Sequence, residues 1–223
     1  MIDAHCHVSC GDASVRELVV GRDFFGVHPW EAAGRVDLDV GSVVSSLRAT
    51  LLSHPAAGVG EIGLDRLKDR TISAAMREIF EAQLALAIEL RRPVVLHGAK
   101  CWGQVVEAVR RLVGRAGSPR PRQTFLFHGF SRSDGLIPDI VALNGYISVG
   151  PAILNDHAVN YRELARKIPA DRLLAETDRT EENAAECPHV RDVLAKLAEI
   201  RGDDLSSLVA RTDANADRFL GMQ

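Results

Sequence analysis

Short apolar runs that suit β-strands alternate along this chain with longer stretches whose apolar residues recur at helical spacing. This alternation predicts a parallel sheet, because parallel neighbours need a long crossover connection, which is usually a helix. The clearest helix is predicted over 71–91 and stops before Pro93. Further helices are predicted over 40–53, 102–114, 133–143, 158–168, 190–201 and 203–220. No linker or low-complexity run interrupts the pattern, so we expect a single α/β domain over residues 1–223.

Several predicted strands end on a residue that can ligate a metal or exchange a proton. The runs GVH, GEI, VLH and LFH end at or beside His28, Glu61, His97 and His128, and LLAETD places Asp178 just past a fifth strand. One histidine in such a place is usually a hydrogen-bonded structural residue. This many polar strand ends can meet only in a closed sheet, since the outer strands of an open sheet lie too far apart. The pattern therefore predicts a TIM-type (β/α) barrel with its site at the carboxyl ends of the strands.

The spacing of these residues predicts that the barrel is distorted. Glu61 and His97 are 36 positions apart and His97 and His128 are 31 apart, close to the roughly 31 residues that one strand–helix unit of a regular barrel uses. Between His5 and Glu61, however, FFGVH is the one convincing strand, where a regular barrel would have roughly three units. VRELVV is a candidate for a degenerate strand with no helix after it. We therefore expect seven strands, or eight with one vestigial, and abbreviated first units.

The chain opens MIDAHCHVSC, with two histidines on the first predicted strand. Side chains alternate faces along a strand, so His5 and His7 point to one side and Cys6 to the other. Such a pair can begin a metal site, but two ordinary histidines can adopt the same arrangement. The pair alone therefore does not distinguish a metal site from two structural histidines.

Charge and cysteine content limit the possible binding partners and the expected cellular compartment. The formal net charge is −3, so we expect no wrapping of duplex DNA, although a strand end can still bind through a local basic cluster. The four cysteines form no C-x-x-C pair and no secreted disulfide framework. Neither a signal peptide nor an apolar run long enough for a bilayer is present, so we expect a cytoplasmic protein without a membrane partner. The sequence does not predict the oligomeric state.

Taken in order, the motifs carry a family resemblance. They read DAHCH, GVHPW, GEIGLD, VVLHGAK, FHGFS, YISVGPAI, LLAETD and finally DANADRFLG. Each is weak alone, but the ordered set spans the chain and resembles the TatD-family metal-dependent hydrolases, a branch of the amidohydrolase-like barrels. Members of that family are typically divalent-metal hydrolases, and many are deoxyribonucleases that act on strand ends.

The resemblance implies two metal sites that share one carboxylate. The implied ligands are His5, His7 and Asp178 at one site, His97 and His128 at the other, and Glu61 as the bridge between them. Such ligands suit Zn²⁺, Mn²⁺ or Mg²⁺, and two ions can activate a water and clamp the attacking and leaving oxygens. Glu61 and Asp178 are the predicted catalytic residues, with Asp178 as proton acceptor. Asp65 is expected to support a ligand or cap a helix.

The predicted substrate-binding residues lie in loops that follow the ligand motifs. His28 has no ligand position left and is either a substrate contact or a packed loop histidine. Lys100, Arg132 and Arg179 could hold a phosphate beside the metals, or they could be solvated loop charges. Two of these loops depart from the family pattern: Ala99 stands where many members have Arg, and RTEEN replaces a small residue and Pro after ETD.

Three functions are compatible with these residues. The first is a two-metal phosphoesterase or deoxyribonuclease acting on a nucleic-acid end or a small phosphoester. The second is a metal-dependent amidohydrolase or lactonase, which would use the same metals and base on a carbonyl carbon. The third is a catalytically silent metal-binding or scaffold protein, and the complete ligand set argues against it.

Overall fold

A computed structural model describes residues 1–34, 39–67, 70–115 and 123–222. The strands are β1 (Ile2–Cys6), β2 (Arg16–Val19), β3 (Phe24–Phe25), β4 (Gly58–Asp65), β5 (Val94–Ala99), β6 (Phe125–Phe127), β7 (Gly145–Val149) and β8 (Leu173–Ala175). The helices are α1 (Pro29–Gly34), α2 (Val40–Ser53), α3 (Ala74–Leu90), α4 (Trp102–Arg115), α5 (Ile137–Ala142), α6 (Val159–Lys167), α7 (Val190–Arg201) and α8 (Leu205–Leu220). Within the described ranges no helix is both long and apolar enough to cross a bilayer.

The strands form a distorted parallel barrel. Strands β3 to β8 pair in chain order in one sheet, and β1 pairs with β2 in a second. A single bridge between Val20 and Phe24 connects β2 to β3. On the other side, Asp178 N donates to His5 O at 3.0 Å and His7 N donates to Arg179 O at 2.8 Å. These bonds join the carboxyl ends of β1 and β8, so the residues that follow both strands lie side by side.

The abbreviated first units are as the sequence predicts. The run VRELVV contains the short strand β2, which leads into β3 through a turn at Gly21–Asp23 rather than through a helix. The described residues thus form eight strands, and the first units depart from a regular barrel because no helix joins β2 to β3 and β3 has two residues. The structure adds a six-residue helix, α1, that the periodicity does not predict.

Helix ends follow local capping chemistry. Helix α3 begins at Ala74 rather than at 71, because Ser73 adopts an extended conformation and its side chain accepts from Met76 N at 3.0 Å. The predicted helix over 133–143 begins as a 3-10 turn at Asp134–Leu136 before α5. Helices α2 and α7 keep their predicted bounds.

Two apolar layers position the site. The larger lies between the strands and the surrounding helices, and the smaller fills the barrel interior. In the interior, Phe219 from α8 stacks on Phe24 with ring centroids 5.8 Å apart and meets the Tyr146 ring edge-on at 6.0 Å. This apolar plug closes the amino-terminal end of the barrel, which leaves the carboxyl end for polar side chains.

Candidate metal centre

The centre is built around Glu61 on β4, which is 3% exposed. Strand β4 approaches β5 closely because Gly63 pairs with His97 in register. A Cβ at position 63 would lie 2.0 Å from the His97 carbonyl oxygen, and Gly63 has φ +156°. The glycine in GEIGLD therefore allows the two strands to bring Glu61 and His97 together.

One carboxylate oxygen of Glu61 faces the two histidines of the first motif. Oε2 lies 3.3 Å from His5 Nε2 and 3.2 Å from His7 Nε2. The same two nitrogens lie 3.6 Å and 3.5 Å from Asp178 Oδ1. Asp178 reaches them because it adopts a left-handed conformation, with φ 51°, directly after β8. The two histidine nitrogens thus lie between the Glu61 and Asp178 carboxylates.

The other oxygen of Glu61 faces histidines from three further strand ends. Oε1 lies 2.6 Å from His97 Nδ1 and 2.7 Å from His128 Nε2. His28 Nε2 approaches the same oxygen at 3.4 Å. The two groups adjoin, since the rings of His5 and His128 have centroids 4.1 Å apart. The structure therefore brings together all six side chains that the resemblance implies as ligands.

Buried polar atoms at the centre lack hydrogen-bond partners, which suits a bound cation. Both ring nitrogens of His5, Oε2 of Glu61 and Nδ1 of His128 are buried without a hydrogen bond. Such atoms are rare in folded proteins and point to an ion or another ligand. Sets of three donors, such as His5, His7 and Glu61, place one ligand atom each within 4.8 Å of the others. Imidazole nitrogens and carboxylate oxygens fit Zn²⁺ or Mn²⁺ and, with more oxygen ligands, Mg²⁺.

The charges at the centre are strongly coupled. Burial alone would raise the pKa of Glu61, but His128 and the neighbouring imidazoles hold it well below the ordinary value. Burial alone would lower the pKa of His128, yet the Glu61 and Glu176 carboxylates raise it well above the ordinary value. Hydrogen bonds to Asp178 and Glu61 raise the pKa of His7 to about 9. Despite burial, His7, His128 and His5 lower the pKa of Asp178 to about 2. Without metal, the carboxylates are therefore ionised and His7 and His128 carry protons at neutral pH.

Asp65 supports His97 from behind. Its Oδ2 lies 2.9 Å from His97 Nε2 and accepts from Trp30 Nε1 at 2.8 Å. This carboxylate fixes the imidazole so that Nδ1 faces Glu61. Asp65 also accepts from Leu67 N at 2.5 Å, so the predicted supporting role and a local turn-stabilising role are combined in one residue.

Glu176 is a carboxylate of the centre that the sequence analysis does not predict. It is buried, accepts from Gly129 N at 2.6 Å and from Ser148 Oγ at 2.5 Å, and lies 3.7 Å from His128 Nδ1. It stands behind His128 as Asp65 stands behind His97. The signal was present in LLAETD, because Glu176 and Asp178 are two positions apart and alternate residues of a strand share a face.

His28 lies at the metal centre and is not packed within a separate loop. Its Nδ1 accepts from Trp30 N at 3.2 Å, so the neutral ring carries its proton on Nε2, the atom that faces Glu61. Its ring also meets the ring of His97 edge-on at 4.8 Å. An N–H at this position suits a substrate contact, and the predicted substrate contact stays a prediction.

The three predicted phosphate-binding cations have different surroundings. Arg179 donates to the carbonyl oxygens of Ala184 and Cys187, which ties down the loop after β8. Arg132 is exposed and lines a cavity of about 420 Å³, together with Asp134 and Lys167. Lys100 is exposed after β5. Their contact with phosphate stays a prediction, and for Arg179 the structure adds a role in holding the loop.

Known proteins resemble this chain in sequence. A family model described as TatD related DNase matches residues 20–221. The chain is 26% identical over 216 residues to the uncharacterised metal-dependent hydrolase YabD of Bacillus subtilis, which covers 91% of this chain and 80% of that protein. It is 27% identical over 210 residues to the 3'-5' ssDNA/RNA exonuclease TatD of Klebsiella pneumoniae, covering 88% and 76%.

A solved structure resembles the fold as well. The crystal structure of YJJV, a TatD homologue from Escherichia coli k12, superposes with a TM-score of 0.71 and 25% sequence identity. The match covers 92% of this chain and 76% of that one. A TIM-type barrel of this kind is therefore the fold of the chain.

Proposed function

The chain belongs to the TatD-related DNase family and is a metal-dependent hydrolase, and we propose that it is a two-metal exonuclease that removes nucleotides from ends of single-stranded DNA or RNA. The similar protein from Klebsiella pneumoniae is a 3'-5' ssDNA/RNA exonuclease, which supports the substrate class. The complete donor set around Glu61 supports catalysis rather than a silent scaffold. We further propose the cytoplasm as its location.

The division of the Glu61 carboxylate is the observation that carries the two-metal proposal. Oε2 faces the nitrogens of His5 and His7, and Asp178 contacts the same two nitrogens. Oε1 faces His97 and His128. One ion would be held by the first group and the second ion by the other, with Glu61 shared. When bound, divalent ions supply positive charge that polarises a phosphoryl oxygen, acidifies a water and offsets charge on the leaving oxygen.

The side chains have distinct tasks in this proposal. Asp178 is 48% exposed at its side chain and is held ionised, so its carboxylate can accept a proton from the attacking water. Asp65 holds the imidazole of His97 through a 2.9 Å contact, and the negative charge of Glu176 faces Nδ1 of His128 from 3.7 Å. His28 presents an N–H from Nε2 towards the centre, where it can donate to Glu61 or to a substrate oxygen.

The charge of the chain favours a strand end over a long duplex. A net charge of −3 gives the chain no overall basic field, so we expect few phosphates to be neutralised at once. A site of this kind selects its substrate by local geometry at the scissile phosphate rather than by wrapping a long stretch of nucleic acid.

Labelled oligonucleotides test the proposal. Enzyme purified without chelator is reconstituted with Mn²⁺, Mg²⁺ or Zn²⁺ and given single-stranded and duplex oligonucleotides labelled at either end. We expect stepwise, chelator-sensitive release of mononucleotides from single strands, abolished by Asp178→Asn. Glu199→Gln is the matched control, because Glu199 is an exposed acid paired with Lys196 on α7.

The alternative hydrolase reaction is tested in the same preparation. Neutral amides and lactones are assayed beside the oligonucleotides with each metal. Metal-dependent hydrolysis of those neutral substrates, with no release of nucleotides from any oligonucleotide, would overturn the exonuclease proposal in favour of an amidohydrolase or lactonase.

A further inference from the structure

A cavity of about 330 Å³ opens beside Asp178, between the ends of β6 to β8 and helix α6. Its wall includes Phe130, Pro151 and Tyr161, and its floor includes Glu176 and Thr177. The cavity is therefore continuous with the metal centre, since Asp178 belongs to both. Its volume is at the lower end of the roughly 300–1,000 Å³ of small-molecule sites, so it holds one small ligand rather than a run of nucleotides.

The chemistry of the wall disfavours a phosphate. None of the described residues that line this cavity is Lys or Arg, whereas Glu176 and Asp178 are both acids. A phosphate placed here would face carboxylates with no basic side chain to offset its charge. The two Glu176 oxygens are already engaged by Gly129 N and Ser148 Oγ. The cavity suits a neutral group with flat apolar faces.

Tyr161 supplies the face for such a group. It lies on α6, is partly buried against the apolar layer, and lines the cavity. Aromatic side chains bind nucleobases by stacking, largely independently of base identity. Pro151 adds a second rigid apolar surface at the same cavity.

We propose that this cavity receives the terminal nucleoside of the strand, with its base against Tyr161, while the scissile phosphate lies at the metal centre. The inference rests on the proposed exonuclease function. A cavity of about 330 Å³ beyond the scissile phosphate has room for one nucleoside and not for a continuing chain, which favours attack at an end rather than within a strand. Tyr161 is then a residue that determines affinity for the terminal base.

The test compares two oligonucleotides that differ at the 3' terminal nucleotide alone, one with adenine and one with an abasic analogue. The readout is the ratio of kcat/KM for the two substrates. Stacking is worth about 1–3 kcal/mol per base, so we expect Tyr161→Leu to reduce the ratio about 5- to 150-fold while keeping apolar bulk at the position. Tyr161→Phe, which keeps the ring, should retain the ratio.

A second variant tests the cavity by a substitution outside the apolar layer. Ala152 is exposed and lines the cavity, so Ala152→Phe should fill it and also reduce the ratio. Glu199→Gln, on α7, is the control that keeps the wild-type ratio. Metal content and thermal unfolding are measured for each variant to show that the centre is intact.

The outcomes separate the two proposals. A wild-type enzyme that degrades both oligonucleotides, with a ratio that Tyr161→Leu and Ala152→Phe leave unchanged, would overturn the nucleoside cavity and leave the exonuclease function standing. A wild-type enzyme that degrades neither oligonucleotide with any metal would overturn the exonuclease function and this inference together. A reduced ratio in both variants supports the inference.

Discussion

His97 Nδ1 lies 2.6 Å from Glu61 Oε1, across the closest approach of β4 and β5. The other ring nitrogen of His97 is committed to Asp65 at 2.9 Å. Nδ1 is therefore the atom that His97 offers to an ion, and Glu61 is shared between this histidine and the pair on the first strand. The pairing of β4 with β5 thus fixes the position of His97 relative to Glu61.

Asp65→Asn should weaken metal binding at the His97 side of the centre. An amide has no negative charge with which to fix the orientation of the imidazole N–H. Loss of such a supporting carboxylate typically lowers metal affinity about 10- to 100-fold. Metal affinity is measured by titration after removal of bound ions. Trp30→Phe, which removes one donor to Asp65, should have a smaller effect in the same direction. Equal affinities in wild type and Asp65→Asn would remove Asp65 from this role.

Asp178→Asn should remove most of the activity while the fold is retained. The side chain is about half exposed and its backbone bond to His5 O does not depend on the carboxylate. Loss of a general base typically costs about 10²–10⁴-fold in rate. The measurement is kcat on a single-stranded oligonucleotide, with thermal unfolding and metal content alongside. Turnover like that of the wild type would exclude Asp178 as the proton acceptor.

Metal binding should release protons at neutral pH. In the metal-free protein the pKa of His7 is raised from 6.5 to about 9, and the pKa of His128 is raised well above the ordinary value. Ligating imidazoles must be neutral, so an ion displaces these protons and its apparent affinity rises with pH up to about 9. Calorimetry at pH 7.5 in buffers of different ionisation enthalpy measures the protons released. Binding that is independent of pH between 6.5 and 9 would contradict the protonated centre.

The same shifts predict how the stability of the metal-free protein depends on pH. A histidine whose pKa is raised on folding stabilises the fold fully below its unfolded pKa of about 6.5. For His7 that contribution is lost as the pH rises towards about 9. Between about pH 6.5 and pH 9, the stabilisation by added metal should therefore increase, while the stabilisation by protonated His7 and its carboxylate partners decreases.

Substrate affinity should depend weakly on salt. The chain has a net charge of −3, and a small number of phosphate contacts gives a slope of roughly −1 to −3 at about 0.7–0.9 per contact. The slope is obtained from KM for an oligonucleotide over a range of salt concentrations. Arg132→Ala and Lys100→Ala should make it shallower if these exposed cations touch phosphate. A steep slope would mean an extended nucleic-acid footprint.

Much of the fold could be predicted because its signals are local. Periodicity gave α2 and α7 their bounds, and the strand ends identified the barrel and its functional end. The vestigial β2 was visible as VRELVV. Helix α1 was missed because six residues are too few for a helical period to stand out.

The parts of the centre that could not be predicted depend on side-chain geometry between distant residues. Which oxygen of Glu61 faces which histidine follows from the close approach at Gly63 and from rotamers that no motif encodes. The approach of Glu176 to His128 spans 48 positions, and the two residues follow different strands. The carbonyl oxygens to which Arg179 donates could not be predicted, because they lie in a loop without a periodic pattern.

Metal stoichiometry tests the central claim, that Glu61 is shared between two sites. Protein stripped of metal, reconstituted with Mn²⁺ or Zn²⁺ and freed of excess ion is analysed by elemental mass spectrometry. We expect about two ions per chain in the wild type, about one in His5→Ala and in His97→Ala, and almost none when both substitutions are combined. One ion per chain in the wild type, lost completely in either single variant, would contradict the account.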